Sequence, residues 1–243
     1  KIQTYTADTL TIDCDRAEYK IKGGLWDGYN YYQLYKEAYT PWEWQPELKE
    51  KCREAGVDFL STPFDRTAVD FLERMGTEFY KIASFELVDI PLIEYTAGKG
   101  KPVIISCGMG SVEEIEEALD ACRRQKNEQI VLLKCCSQYP ARYEDMNLSV
   151  IPDMKKRFGV PIGLSDHSMG SLAPVTAVAL GAKVIEKHVC LSRKIENPDA
   201  GFSMEMEEFA KMAEDVRSAE KLLGQPSYDL TEHEKNGLHA RRS

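Results

Sequence analysis

Two histidines fall where divalent-metal chemistry could be done. The chain has four, and two of them, His167 and His188, close short apolar runs that read as consecutive β-strands. Neighbouring strands lie about 4.8 Å apart, so the two imidazoles could share one divalent ion and leave its other positions open to substrate. A lone strand-end histidine is more often a hydrogen-bonded core residue, but the pair favours a metal. Glu186 lies two residues before His188 and so shares its strand face. His233 and His239 sit in a polar tail and read as surface residues.

Hydroxyls and a lysine form a second constellation. Thr62, Ser84, Ser106, Ser137 and Ser165 all fall at strand ends, with Lys81 among them. Hydroxyls and backbone amides gathered around one ammonium suit a phosphate, whose oxygens accept several charge-assisted bonds. Any one of these residues is explained by the preference of Ser and Thr for turns; five around one mouth form a pattern. Lys1 and Gln3 on the first strand, Glu86 after the third and Tyr139 after the fifth add polar groups at the same end.

Other chemistries stay open at this level. Lys81 or Lys134, desolvated near the mouth, could form a Schiff base with a carbonyl substrate, which would make the protein a metal-free aldolase. A non-catalytic sugar-binding barrel is a third reading. The adjacent thiols of Cys135 and Cys136 have no basic partner evident in the sequence and read as packing.

The elements that must position these residues alternate along the whole chain. Candidate strands are Lys1–Thr4, Phe59–Thr62, Phe79–Ala83, Val103–Ser106, Ile130–Cys135, Pro161–Leu164 and Val184–His188, each short and apolar. Amphipathic stretches such as Val112–Arg124, Leu172–Leu180 and Met206–Leu223 lie between them. Ser111 with Glu114 is a capping box, and Gly100 and Gly181 read as helix stops. This rhythm belongs to a parallel sheet of βα units. No GxGxxG follows a strand, which disfavours a dinucleotide-binding sheet. The expected fold is a (β/α)8 TIM barrel lacking its first strand, with an active site at the C-terminal strand ends. The segment Asp8–Tyr39 is the least regular and is expected to be a long loop with a short helix.

Composition narrows the partners. A formal net charge of −9 argues against nucleic acid, which needs a basic surface. No apolar run approaches a membrane span and no signal peptide opens the chain. Seven cysteines without a CxxC pair indicate free thiols and a reducing, cytoplasmic setting. Both ends read as cut: Lys1–Thr4 starts like mid-strand, and Arg241-Arg242-Ser243 is a basic run. The expectation is a piece of a longer protein.

Five ordered motifs then carry a resemblance. Ser61–Asp65 (STPFD), Lys81–Glu86 (KIASFE), Gly100–Gly110 (GKPVIISCGMG), Gly163–His167 (GLSDH) and Gly181–His188 (GAKVIEKH) resemble the sialic acid synthase family, co-linearly from Lys1 to about Gly224. Ala38–Gln45 (AYTPWEWQ), Phe85 and Lys134 look more like its pseudaminic acid synthase branch than its sialic or legionaminic branches. The segment around Trp42 and Trp44 is the expected discriminator of the sugar, unless both tryptophans merely pack.

The resemblance implies condensation of phosphoenolpyruvate with an N-acylated aldose, a 2,4-diacetamido-2,4,6-trideoxy-altrose in the pseudaminic branch. It implies that His167 and His188 bind Mn²⁺ or Mg²⁺. Lys81, Thr62, Ser106, Ser137 and Ser165 would hold the phosphate and carboxylate of phosphoenolpyruvate, with Ser84 in support. Ser137 stands where some relatives carry asparagine. Lys1, Gln3 and Glu86 would orient the reactants, Glu186 and Asp199 would lie near aldose and metal, and Tyr139 would contact substrate. It further implies residues 1–224 as barrel, 225–243 as linker toward a C-terminal antifreeze-like domain, and a homodimer.

Overall fold

Runs of β-branched and aliphatic residues bounded by glycine or by helix caps set the strands. In the computed structural model, which describes residues 1–242, they are β1 (Ile2–Thr4), β2 (Ser61–Pro63), β3 (Tyr80–Ile82), β4 (Val103–Ser106), β5 (Ile130–Cys135), β6 (Ile162–Asp166) and β7 (Ile185–Lys187). The pairings are all parallel, β1 with β2, and β3 through β7 each with the next in one five-stranded sheet. The curled parallel sheet with helices between its strands is the half-barrel expected of the βα alternation. A further parallel pair, β8 (Val189–Cys190) with β9 (Met204–Glu205), was not foreseen.

Among the described residues, ten α-helices accompany the strands: α1 (Ala7–Leu10), α2 (Tyr31–Ala38), α3 (Gln45–Glu54), α4 (Arg66–Arg74), α5 (Ile90–Ala97), α6 (Val112–Arg124), α7 (Val150–Phe158), α8 (Leu172–Ala179), α9 (Met206–Leu223) and α10 (Glu232–Lys235). The capping box read from sequence holds. Ser111 accepts from the Glu114 amide at 3.2 Å while Glu114 returns to the Ser111 amide at 2.7 Å, fixing the start of α6. Asp65 caps α4 through the Ala68 amide at 2.7 Å. The irregular stretch 8–39 holds more order than one short helix. It contains α1, a 3-10 turn at Ala17–Tyr19, an antiparallel bridge between Lys20 and Asn30, and α2.

Strand alternation divides the sheet into two faces. Tyr80, Ile82, Val103, Ile105, Leu132, Ile162 and Leu164 are almost fully buried under Val69, Leu72, Ile93, Ile115, Leu119 and Ala177 of the helices. Each such aliphatic side chain contributes about 1.5–3 kcal/mol on burial, so this layer fixes the strands on which the site stands. The opposite parity carries Lys81, Ser106, Leu133, Cys135, Gly163, Ser165 and Glu186 inward. Gly163 is required there, because a Cβ would lie 2.4 Å from the Val184 carbonyl and 2.6 Å from Leu133.

Only β4 and β5 keep the expected bounds; the other strands shift by one or two residues at an end. β2 begins at Ser61 rather than Phe59, and β6 runs on to Asp166 rather than stopping at Leu164. β7 covers Ile185–Lys187, which leaves His188 just beyond its end. The extension of β6 has a cause: the Asp166 and Lys187 Cα positions pair in register, and their side chains form an ion pair with 0% and 1% exposure.

Candidate active site

Glu186 organises the charged side of the mouth. Its Oε1 accepts from Ser165 Oγ at 2.8 Å and lies 3.8 Å from Lys81 Nζ, and its Oε2 lies 3.6 Å from Lys1 Nζ. Burial alone would push this carboxyl up, but Lys81, Lys1 and the Ser165 hydroxyl outweigh it and hold the group at about 2. Lys81 is almost fully buried and donates to the Ile82 carbonyl at 2.6 Å. Burial pushes its ammonium down to about 8 against the pull of Glu186. The two cations and one carboxylate leave a local excess of positive charge in a chain whose sum is strongly negative.

Hydroxyls lie at the same end of the strands. Ser106 Oγ is buried with no hydrogen-bond partner, an arrangement that costs about 1–3 kcal/mol unless something bonds it. Ser84 Oγ accepts from the Gly108 amide at 3.1 Å. A Cβ on Gly108 would fall 2.2 Å from Ser137 Oγ and 2.7 Å from Ser84 Oγ, so both hydroxyls converge on this one backbone point. Gln3 and the buried Thr62 are register partners on β1 and β2. Glu86, on the 3-10 turn after β3, has a buried Oε2 without a partner. Burial raises its carboxyl to about 7, with Lys81 opposing.

The histidines occupy the other side. His167 and His188 have ring centroids 5.4 Å apart. His167 Nδ1 lies 2.9 Å from the Cys136 carbonyl; a carbonyl only accepts, so Nδ1 carries the proton and Nε2 keeps its lone pair. His188 Nδ1 lies 3.4 Å from Asp199 Oδ2. A ring nitrogen held by an oxygen, with the other free, is the arrangement of metal-ligating histidines. The pair therefore fits a divalent ion with open positions. No set of three or more His, Cys, Asp or Glu side chains among the described residues could hold one.

An aromatic wall backs the histidines. Tyr139 lies 4.4 Å from His167 and 5.0 Å from Phe202, centroid to centroid, and Phe202 lies 4.9 Å from His188. Trp26 continues it, 5.7 Å from Tyr139 and 6.2 Å from Phe202.

The structure thus gathers Lys1, Lys81, Ser165 and Glu186 in one group, Ser84 and Ser137 around Gly108 in another, and Tyr139, His167, His188 and Asp199 in a third. Glu186 bonds on the lysine side through Ser165 rather than to a histidine. The structure revises the sequence readings of Cys135 and of Lys134. Cys135 does have an imidazole neighbour, with its Sγ 3.9 Å from His167 Nδ1; that nitrogen already donates to Cys136, so it is no base for the thiol. The two tryptophans of the segment after α2 differ in their surroundings. Trp42 packs on Phe71 at 5.0 Å and donates to the Tyr5 carbonyl, while Trp44 is 59% exposed. Lys134 belongs to the opposite strand parity from Cys135, in register with buried Leu164, which removes it as a Schiff-base candidate. Sequence reasoning missed Trp26, Phe202, Gly108 and the Asp166–Lys187 pair. For the pair a signal existed, since a charge stands inside each of two apolar strands beside a histidine.

Known proteins resemble this chain along most of its length. Residues 1–228 match the NeuB family. The chain is 46% identical over 242 residues to the pseudaminic acid synthase of Campylobacter jejuni, covering 99% of this chain and 71% of that one. It is 43% identical over 225 residues to the pseudaminic acid synthase of Helicobacter pylori, covering 93% of this chain and 66% of that one. Among solved structures, the N-acetylneuraminic acid synthetase of Leptospira borgpetersenii, crystallised with citrate, superposes with a TM-score of 0.81 at 36% identity, over 87% of this chain and 74% of that one.

Proposed function

Because this chain belongs to the NeuB family, we propose that it is a phosphoenolpyruvate-dependent sugar-acid synthase. It condenses phosphoenolpyruvate with 2,4-diacetamido-2,4,6-trideoxy-altrose to give pseudaminic acid and phosphate. The observation that carries this reading is the buried Lys81 ammonium, facing Glu186 at 3.8 Å beside the unpartnered hydroxyl of Ser106. An anion with several oxygens satisfies both, and the three-carbon substrate brings a phosphate and a carboxylate.

In the reaction the C3 carbon of phosphoenolpyruvate attacks the sugar aldehyde. Water then adds at C2, and the tetrahedral intermediate expels phosphate. Lys81, Thr62, Ser106, Ser137 and Ser165 hold the anionic substrate, with Ser84 steadying the Gly108 loop; Lys1 and Gln3 orient it from β1. Glu86, held near neutrality by burial, has the proton affinity for an acid–base step at the mouth. His167 and His188 would hold Mn²⁺ or Mg²⁺, which when bound supplies Lewis acidity toward the aldehyde oxygen. Asp199 keeps His188 in its tautomer, and Glu186 fixes the two lysines. The protein works as a cytoplasmic homodimer, with 225–243 leading toward an antifreeze-like domain. No helix among the described residues is long and apolar enough to cross a membrane.

The test is phosphate release with phosphoenolpyruvate, Mn²⁺ and each candidate aldose in turn. Release with the diacetamido-trideoxy-altrose, abolished by chelation, supports the whole reading. Release with N-acetylmannosamine instead keeps the reaction and overturns the branch. Release of nothing, with borohydride trapping a substrate adduct on Lys81, turns the protein into a Schiff-base aldolase.

A pH dependence follows from Lys81. Its ammonium is lost as pH rises through about 8, so kcat/KM for phosphoenolpyruvate should fall about tenfold per unit above that point, because kcat/KM reports the free enzyme. Unfolding does not mimic this limb. A lysine whose folded pKa is depressed opposes folding below about 8, and that cost is relieved as pH rises toward its unfolded value. A kcat/KM profile flat from pH 7 to 10 would remove Lys81 from anion binding.

A further inference from the structure

Two connections far apart in the sequence meet over the mouth. The first, between β1 and α2, carries Leu25 and Trp26; the second, between β8 and β9, carries Pro198 and Gly201. Trp26 Nε1 donates to the Pro198 carbonyl at 2.8 Å, across 172 residues of sequence. A Cβ on Gly201 would come within 3.1 Å of Leu25 Cδ2, so the backbone of one connection is pressed against a side chain of the other. The indole ring leans on Tyr139 and Phe202, the two aromatics that touch His167 and His188.

The consequence is chemical segregation. The side of the mouth built from Lys1, Lys81, Ser165 and Glu186 is charged, and the side beyond the histidines is aromatic. The only polar atom of the Trp26 side chain is its indole N–H, and that is used on Pro198. What Trp26 offers is therefore apolar ring surface, held in place by a hydrogen bond at its back. A hydroxyl laid against it would lose water and gain no partner, which costs free energy. A methyl group would gain by burial.

We propose that Trp26 and Tyr139, backed by the buried Phe202, form the wall that receives the aldose, and that Trp26 selects a sugar carrying a methyl at C6 over one carrying a hydroxymethyl or longer hydroxylated tail. This rests on the functional reading above and names the residue that enforces its substrate class. Trp26 acts on the sugar alone, so the anionic substrate does not sense it.

The experiment measures phosphate release with 2,4-diacetamido-2,4,6-trideoxy-altrose and with its 6-hydroxy counterpart, for the unaltered protein, Trp26→Phe and Trp26→Ala. The expected result is that Trp26→Ala lowers the ratio of kcat/KM between the two sugars by about tenfold, the scale of one methylene in an apolar pocket. The change lies in the KM of the 6-deoxy sugar, and the KM for phosphoenolpyruvate stays within about twofold. Trp26→Phe keeps apolar ring surface without the Pro198 bond and should retain most of the discrimination. An unchanged ratio in Trp26→Ala overturns the proposal, as does an equal loss with both sugars and phosphoenolpyruvate, which would mark Trp26 as merely structural. If the unaltered protein uses neither sugar but accepts N-acetylmannosamine, the functional reading fails separately. The wall is then judged on N-acetylmannosamine against its 6-deoxy analogue, where an unchanged ratio in Trp26→Ala again overturns it. A protein that turns over none of the four sugars overturns both.

Discussion

Replacing Lys81 with methionine should reduce kcat/KM for phosphoenolpyruvate by about a thousandfold, the scale on which a buried electrostatic contact to a reacting anion is felt. The side chain is 2% exposed, so neither water nor a neighbouring cation can move in to replace it. Methionine reaches as far as Cε without the ammonium and leaves the fold intact. The depressed affinity of Lys81 for its proton says that burial outweighs the attraction of Glu186. Removing the charge therefore relieves a desolvation cost as well as breaking an ion pair, and the melting temperature should move by only a few degrees. Lys81→Arg restores the charge but not the function, because a larger head group in a packed site forces its neighbours apart. Phosphate-release assays over a range of phosphoenolpyruvate concentrations check this; activity of Lys81→Met within tenfold of the unaltered protein would refute it.

The second large effect concerns stability. Lys187→Met leaves Asp166 buried at 0% exposure with only the Ser168 amide, at 2.8 Å, to satisfy it. Lys187 also donates to the Ser168 and Gly170 carbonyls, so the loop after β6 loses its anchor. Removing one partner of a buried pair costs about 3–5 kcal/mol, which in a domain of this size lowers the melting temperature by about 6–20 °C. The double variant Asp166→Asn with Lys187→Met removes the stranded charge and keeps an acceptor for the Ser168 amide, and should recover most of that loss. Thermal unfolding followed by circular dichroism distinguishes the cases. A Lys187→Met protein that melts within about 2 °C of the parent would mean the pair contributes nothing net.

The legible part of this protein was whatever depends on spacing along one element. β4, β5, α6 and α9 lie where the apolar periodicity put them, because each is set by its own capping and its own buried face. The strand-end hydroxyls, Lys81 and both histidines were legible for the same reason: a parallel βα chain gathers its strand ends at one mouth. What stayed hidden depends on contacts between distant segments. Trp26 lies in a stretch without periodicity, and only the folded chain brings it to Pro198 and Tyr139. Trp42 and Trp44 drew notice by their type, yet one packs on Phe71 and the other faces solvent. Lys134 and Lys81 look alike in sequence and differ only in parity, which the register decides.

The order of the five-stranded sheet has a consequence for how the molecule comes into being. Each strand from β4 to β7 bonds to the one that precedes it in the chain, separated from it by a single α-helix and its connections. No strand waits for a distant segment, so each addition closes a short loop at modest entropic cost. A chain leaving the ribosome N-terminus first can lay these strands down in the order of their synthesis. The Asp166–Lys187 pair forms near the end of that order, so the arrival of β7 delivers Glu186 to the two lysines and His188 to His167 in one step.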